Sequence, residues 1–189
     1  MKVHTPGIII VFAALMVNML VPGSAYGRVS LKERDALEAL FNKTNGRNWR
    51  LQENWKNAPG TEASWSGISC DAGNNTVLKI ELPGNRLLGE LPADMDAFSN
   101  LTTLDLRDNQ LTGEIPRWIE KLKNLKTLNL SNNNFKGPIP AWLGNLKNLE
   151  GLILDNNRLE GTIPGELGNL ANLKIVRLAG NRLTGVIPA

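Results

Sequence analysis

Residues 101–116 read LTTLDLRDNQLTGEIP. The same sentence returns at 125–140 as LKTLNLSNNNFKGPIP, at 149–164 as LEGLILDNNRLEGTIP and at 173–188 as LKIVRLAGNRLTGVIP. A looser copy, VLKIELPGNRLLGELP, occupies 77–92. Val77, Leu101, Leu125, Leu149 and Leu173 keep one spacing, and so do Asn85, Asn109, Asn133, Asn157 and Asn181. Gly89, Gly113, Gly137, Gly161 and Gly185 stay in step with Pro92, Pro116, Pro140, Pro164 and Pro188. Five copies of 24 residues without an insertion describe a solenoid in which each unit covers its neighbour.

One unit explains itself physically. Leu104 and Leu106 alternate with polar residues, the period of a short strand with its leucines turned inward. Asn109 sits where the chain must bend inside a stack. Its amide both donates and accepts, so one Asn above another satisfies neighbouring backbones in a ladder. Gly113 marks a second turn where a side chain would crowd the next coil. Ile115 points inward again and Pro116 closes the extended run. A helical or 3₁₀ return with Ile119 and Leu122 inward completes the coil. Asn124, repeated as Asn100, Asn148 and Asn172, is placed to form a second ladder.

LxxLxLxxNxLxGxIP resembles the plant-type leucine-rich repeat, over residues 77–188. The resemblance implies an α/β solenoid: a right-handed superhelix with a concave parallel β-sheet, a second short sheet contributed by LxGxIP, and an α-helical N-terminal cap.

A first coil needs a cover, and residues 28–76 supply it. Ser30-Leu-Lys-Glu33 is a capping box, Leu37, Leu40 and Phe41 share a helical face, and Gly46 is placed to stop that helix. Trp49, Trp55 and Trp65 follow as a plug for the solenoid end. Ile68-Ser-Cys70 reads as a strand turning through 71–75 into Val77. The stretch is similar to the cap of plant leucine-rich-repeat receptors, which ends CxWxGVxC. Here 63–70 read ASWSGISC, so Ala63 stands where the first cysteine would be.

Ahead of the cap, Lys2, the apolar run from Ile8 to Val21 and the small residues Gly23-Ser24-Ala25 mark 1–27 as a secretory signal peptide. The domain plan is therefore 1–27 signal, 28–76 cap and 77–189 five repeats, with no C-terminal cap. Ala189 closes an IP segment, leaving Leu178, Leu183 and Ile187 without a next coil. That end is expected to pair with a partner or to continue into a longer protein, and its edge strand is open to pairing.

Composition removes several functions. Formal charge is +3, falling to +2 once Lys2 is lost with the signal, too mild for nucleic acid or an anionic membrane. The one cysteine, Cys70, has no internal disulfide partner; it is either an intermolecular thiol or, as Ile68 and Val77 near it favour, a small buried residue. The one histidine, His4, is inside the signal. Histidine-based catalysis and the commonest zinc ligand are thus missing, so the chain is read as no enzyme, with no cofactor and no metal.

Function is left to residues the repeat does not dictate. Three columns face out of the strands: Lys79, Thr103, Thr127, Gly151, Ile175; then Glu81, Asp105, Asn129, Ile153, Arg177; then Pro83, Arg107, Ser131, Asp155, Ala179. From these the expected ligand-binding residues are Thr103, Asp105, Arg107, Thr127, Asn129, Ser131, Ile153, Asp155, Ile175 and Arg177. Five strands give on the order of 400 Å² of flat face, against about 800 Å² per partner in a standard interface. A short peptide fits that area; a larger protein needs the flanks. Trp118 and Trp142 share a register whose other members are Asp94 and Glu166, which offers a secondary patch of part-exposed rings. Sequons at Asn42, Asn74, Asn100 and Asn129 are candidate glycosylation sites.

The reading is a non-catalytic, secreted or cell-surface recognition module for a peptide or protein, with no nucleic-acid partner and no membrane span in the mature chain. The alternatives are a truncated ectodomain of a membrane receptor-like kinase and an inhibitor of a secreted polysaccharide-degrading enzyme. Ice binding calls for a repetitive array of like side chains. The irregular column Glu81, Asp105, Asn129, Ile153, Arg177 argues against it.

Overall fold

The computed structural model describes residues 28–93 and 95–188. The signal peptide expected at 1–27 lies outside them, as do Asp94 and Ala189. The chain forms a right-handed leucine-rich-repeat solenoid behind a helical cap, the hand that parallel strand crossovers favour.

Helix α1 spans Leu31–Lys43. The capping box forms: Ser30 Oγ accepts the Glu33 N–H at 3.2 Å, and Glu33 Oε2 accepts the Ser30 N–H at 3.0 Å. Ala36, Leu37, Leu40 and Phe41 are buried. The helix stops before Gly46. Thr44 caps it, its N–H and Oγ1 both donating to the Leu40 carbonyl at 3.1 and 2.7 Å, and Asn45 takes the left-handed turn at φ 62°. Gly46 serves packing instead: a Cβ there would lie 2.3 Å from the Phe41 ring. The ring centroids of Phe41 and Trp49, Trp49 and Trp55, and Trp55 and Trp65 lie 5.2, 4.8 and 5.1 Å apart. All three tryptophans are buried, the plug expected from the sequence.

The main sheet has six strands in the order β1, β2, β4, β6, β8, β10. These are β1 (Ile68–Cys70), β2 (Val77–Glu81), β4 (Thr103–Asp105), β6 (Thr127–Asn129), β8 (Gly151–Ile153) and β10 (Ile175–Arg177). Strand β1 runs antiparallel to β2 and the rest are parallel. Beside it lie β3 (Leu88–Glu90) with β5 (Gln110–Thr112), and β7 (Lys136–Pro138) with β9 (Arg158–Thr162) and β11 (Arg182–Thr184). Short 3₁₀ turns at Arg117–Lys121, Ala141–Asn145 and Gly165–Asn169 return the chain. The inward leucines of the coils meet in one continuous core, against which Leu173, Leu178 and Leu183 of the last coil pack part-buried.

Both asparagine ladders form. Asn109 Oδ1 accepts from the Asn85 and Leu87 N–H groups at 3.0 Å each, while Nδ2 donates to the Leu82 and Leu106 carbonyls at 2.9 Å each. Asn133, Asn157 and Asn181 repeat the two carbonyl bonds and accept one N–H each, from Leu111, Phe135 and Leu159. Asn85 ends the ladder against the cap, exchanging bonds with the Leu51 backbone at 2.6 and 3.0 Å. In the second ladder Asn124, Asn148 and Asn172 donate to the Ser99, Lys123 and Lys147 carbonyls at 2.8–2.9 Å. Gly113 has φ +85°, and a Cβ there would lie 3.1 Å from Glu90 of the preceding coil rather than against the next one.

Candidate ligand-binding face

The concave sheet brings the expected columns together. Lys79, Thr103, Thr127, Gly151 and Ile175 are successive register partners, and so are Glu81, Asp105, Asn129, Ile153 and Arg177. The third column follows the strands, tied coil to coil by Gly84 N–H to Arg107 O, Asp108 N–H to Ser131 O and Asn132 N–H to Asp155 O at 2.9–3.0 Å. Register over five coils comes from the constant repeat length, since one extra residue would turn each following side chain to the other face.

The face is not uniform. Arg107 pairs with Asp105 at 3.0 Å and with Asp108 at 3.8 Å. Burial pushes the Asp105 carboxyl above its usual range, Arg107 opposes that rise, and Glu81 and Asp108 add to it. Glu81, Arg177 and Ile175 are exposed, and Thr103, Thr127, Ile153 and Asp155 are half-buried.

Two expected contact residues are sunk instead. Asn129 and Ser131 are each 6% exposed. Asn129 Oδ1 accepts both the N–H and the Oγ–H of Ser131, at 3.1 and 2.7 Å. Their short side chains bond to each other below the tops of longer neighbours, so they form the floor of the face. The same burial distinguishes the Asn129 sequon from those at Asn42 and Asn100, which are exposed, and Asn74, which is half-buried.

The tryptophan patch is corrected as well. Trp118 is 5% exposed and its indole N–H donates to the Pro92 carbonyl at 2.9 Å. Its ring seals the previous coil, the usual fate of an indole that finds a buried acceptor. Trp142 is half-buried against the core, so no pair of open rings exists.

Cys70 is half-buried. Burial pushes its thiol up to about 11, with Glu33, Asp71 and Glu62 adding to the rise. A neutral thiol is a poor nucleophile. Folded protein should therefore react with a thiol-disulfide dye at pH 8 far more slowly than urea-unfolded protein. An acid whose pKa is raised on folding favours the folded state only while protonated. Stability should accordingly fall as pH climbs from about 9 through 11, and a Cys70→Ala variant should lose that slope.

The sequence reading missed two features. Positions 84, 108, 132, 156 and 180 form a left-handed column, Gly84, Asp108, Asn132, Asn156 and Gly180 at φ 52–67°. Asn156 Nδ2 donates to Asn132 Oδ1 at 2.7 Å, and Asn132 Nδ2 to Asp108 Oδ1 at 2.6 Å. The signal was there: Gly, Asp and Asn are the residues that tolerate this conformation. The second is the cap's buried ion cluster. Arg34 pairs with the 2%-exposed Glu62 and with Glu38 at 3.0 Å, donates to the Asn57 carbonyl at 2.6 Å, and stacks 5.0 Å over Trp65.

Among the described residues no group of side chains could hold a metal ion, and no helix is long and apolar enough to cross a membrane. What the fold and face define is a rigid ribbed scaffold with a variable concave surface. A leucine-rich-repeat family model matches residues 76–135 and again 99–159. No curated protein matches in sequence. A chain of the Arabidopsis thaliana BIR3–SERK2 complex is 34% identical, with TM-score 0.72, over 82% of this chain and 84% of that one. A plant ice-binding protein is 31% identical, with TM-score 0.76, over 84% of this chain and 51% of that one. The leucine-rich-repeat ectodomain of the Arabidopsis thaliana membrane receptor kinase GASSHO1/SCHENGEN3, in complex with Casparian strip integrity factor 2, is 35% identical, with TM-score 0.71, over 84% of this chain and 19% of that one. The chain belongs to the plant-type leucine-rich-repeat family.

Proposed function

We propose that this chain is a non-catalytic recognition module, extracellular or at a cell surface, that binds a peptide or protein on its concave face. The observation that carries the reading is the set of columns held in one register by β2, β4, β6, β8 and β10. They present Thr103, Asp105, Arg107, Thr127, Ile153, Asp155, Ile175 and Arg177 over the Asn129–Ser131 floor. The similarity to a chain of a two-protein complex and to a receptor ectodomain in complex with its factor supports it. A secreted binder, the ectodomain of a receptor-like kinase and an inhibitor of a polysaccharide-degrading enzyme are the three forms such a module could take. The similarity to ectodomains favours the first two. One similar structure is an ice-binding protein, but the middle column here, Glu81, Asp105, Asn129, Ile153, Arg177, lacks the like side chains such an activity calls for.

Gly151 makes a clean test. A Cβ there meets Ile153 and Thr127 only at 3.9 Å, so a side chain enters the face without straining the backbone. Gly151 is buried at the base of the face, but an added side chain meets only ordinary contacts, so Gly151→Arg should keep the melting temperature within about 5 °C. It should also abolish capture of the protein or peptide that wild type retains from extracellular fluid, as should Asp105→Arg with Arg177→Glu. Retention of the same ligand by both variants would rule out the concave face.

A further inference from the structure

Most buried glycines of this chain are required by the fold. Among the described residues, Gly113 and Gly137 turn at φ +85° and +79°, and a Cβ at Gly46 or Gly144 would clash with the Phe41 ring or the Glu166 carbonyl. Gly151 is buried too, yet it has no positive φ. A Cβ there would meet Ile153 Cδ1 and Thr127 Cγ2 at 3.9 Å and Thr127 Oγ1 at 4.0 Å, which is ordinary contact. Neither backbone conformation nor packing calls for glycine at this position. We propose, resting on the concave-face reading above, that Gly151 is the floor of a notch that anchors one apolar side chain of a bound peptide.

The walls of the notch come from three strands. Thr127 of β6 and Ile175 of β10 are the register partners of Gly151 on either side. They stand two coil spacings apart, about 9.6 Å, and Ile153 closes the slot along β8. One side chain fits between the walls within van der Waals reach of both. Its tip descends to the point a Cβ would occupy. The same slot holds Lys79, Thr103 and Thr127 on the earlier coils, so the notch is confined to the fourth.

Charge selects the occupant. Gly151, Thr127, Ile153 and Ile175 are all uncharged, and an ionised side chain in the notch would lose its water without gaining a partner. The carboxylates flanking β8 are engaged: Glu150 pairs with Lys174 at 2.6 Å, and Asp155 Oδ1 accepts the Ala179 N–H at 3.2 Å. Arg177 is exposed one coil and two residues away, about 8 Å from Gly151 along the face. It repels a lysine or arginine placed beside the anchor, so the notch accepts by apolar contact and Arg177 rejects by like charge.

The test is selection of random linear peptides, displayed on phage, against the full chain. Retained peptides should share one apolar position, with Lys and Arg depleted beside it. Replacing that residue by Ala should weaken binding about tenfold or more, the effect of an unburied apolar side chain. Gly151→Ala adds one methyl to the floor and should cost about fourfold. Gly151→Leu fills the notch and should cost as much as the peptide's own Ala replacement, and the two losses should not add, since they remove one contact. Arg177→Glu should admit Lys or Arg beside the anchor.

Retention of no peptide would overturn the notch while leaving the capture of a larger protein to be judged by Gly151→Arg. Additive losses for Gly151→Leu and the peptide replacement would overturn it as well. Peptides lost by Asp105→Arg with Arg177→Glu but indifferent to Gly151→Leu would remove the notch and keep the face. Peptides indifferent to both would remove the face with it.

Discussion

Replacing Asn133 by alanine will destabilise the solenoid by about 4 kcal/mol, since it strands several buried backbone groups at about 1–3 kcal/mol each. Those groups are the Leu111 N–H, held at 3.0 Å by Oδ1, and the Leu106 and Leu130 carbonyls, held at 2.9 and 3.1 Å by Nδ2. Asn133 is 7% exposed, so water replaces the lost amide poorly. In a domain of this size the loss appears as a fall in Tm of roughly 10 °C. Asn181 makes the same bonds, to Leu159 N–H and the Leu154 and Leu178 carbonyls, but is half-buried. Asn181→Ala should therefore cost less than about 1.5 kcal/mol, because solvent reaches the freed groups. Equal midpoints for the two variants in urea would show that the ladder does not carry the stack.

Arg34→Ala should be the most damaging change in the cap. Removing one partner of a buried ion pair costs about 3–5 kcal/mol, because the remaining charge is buried alone. Here the abandoned charge is Glu62, 2% exposed, whose carboxylate also accepts the Gly60 N–H at 3.0–3.2 Å. Glu62→Ala should cost a similar amount. A double replacement, Arg34→Met with Glu62→Leu, should recover most of the loss, as apolar replacements of buried pairs do. The cluster lies beside Ala63, the position where the related cap pattern has a cysteine. Melting curves with and without reductant should coincide, since the chain has one cysteine. A single-variant loss under 1 kcal/mol would mean that Arg34 does not hold the cap.

The repeat made most of the fold legible. Constant spacing of Leu101, Asn109, Gly113 and Pro116 names each residue's neighbour on the next coil, so strand register, both ladders and the three concave columns follow from counting. Trp49, Trp55 and Trp65 announced the plug by their bulk. The site was legible as positions and illegible as surface. Asn129 occupies an outward register slot yet is floor, because Ser131 bonds it down. Trp118 shares a slot with polar residues yet is interior, because the Pro92 carbonyl accepts its N–H.

By itself, then, the sequence determined the architecture, since a stack of equal coils is set by nearest-neighbour contacts that recur with the repeat. Only the tertiary structure decided what happens where that period breaks. Arg34 and Glu62 are 28 residues apart in the chain. Glu33 both closes the capping box and accepts the Thr76 Oγ1–H and Val77 N–H at 2.7 and 3.0 Å, tying α1 to the first coil. No spacing rule links such residues. Their meeting depends on how the cap crosses the solenoid end, where buried charges and backbone donors must find partners that no repeat supplies.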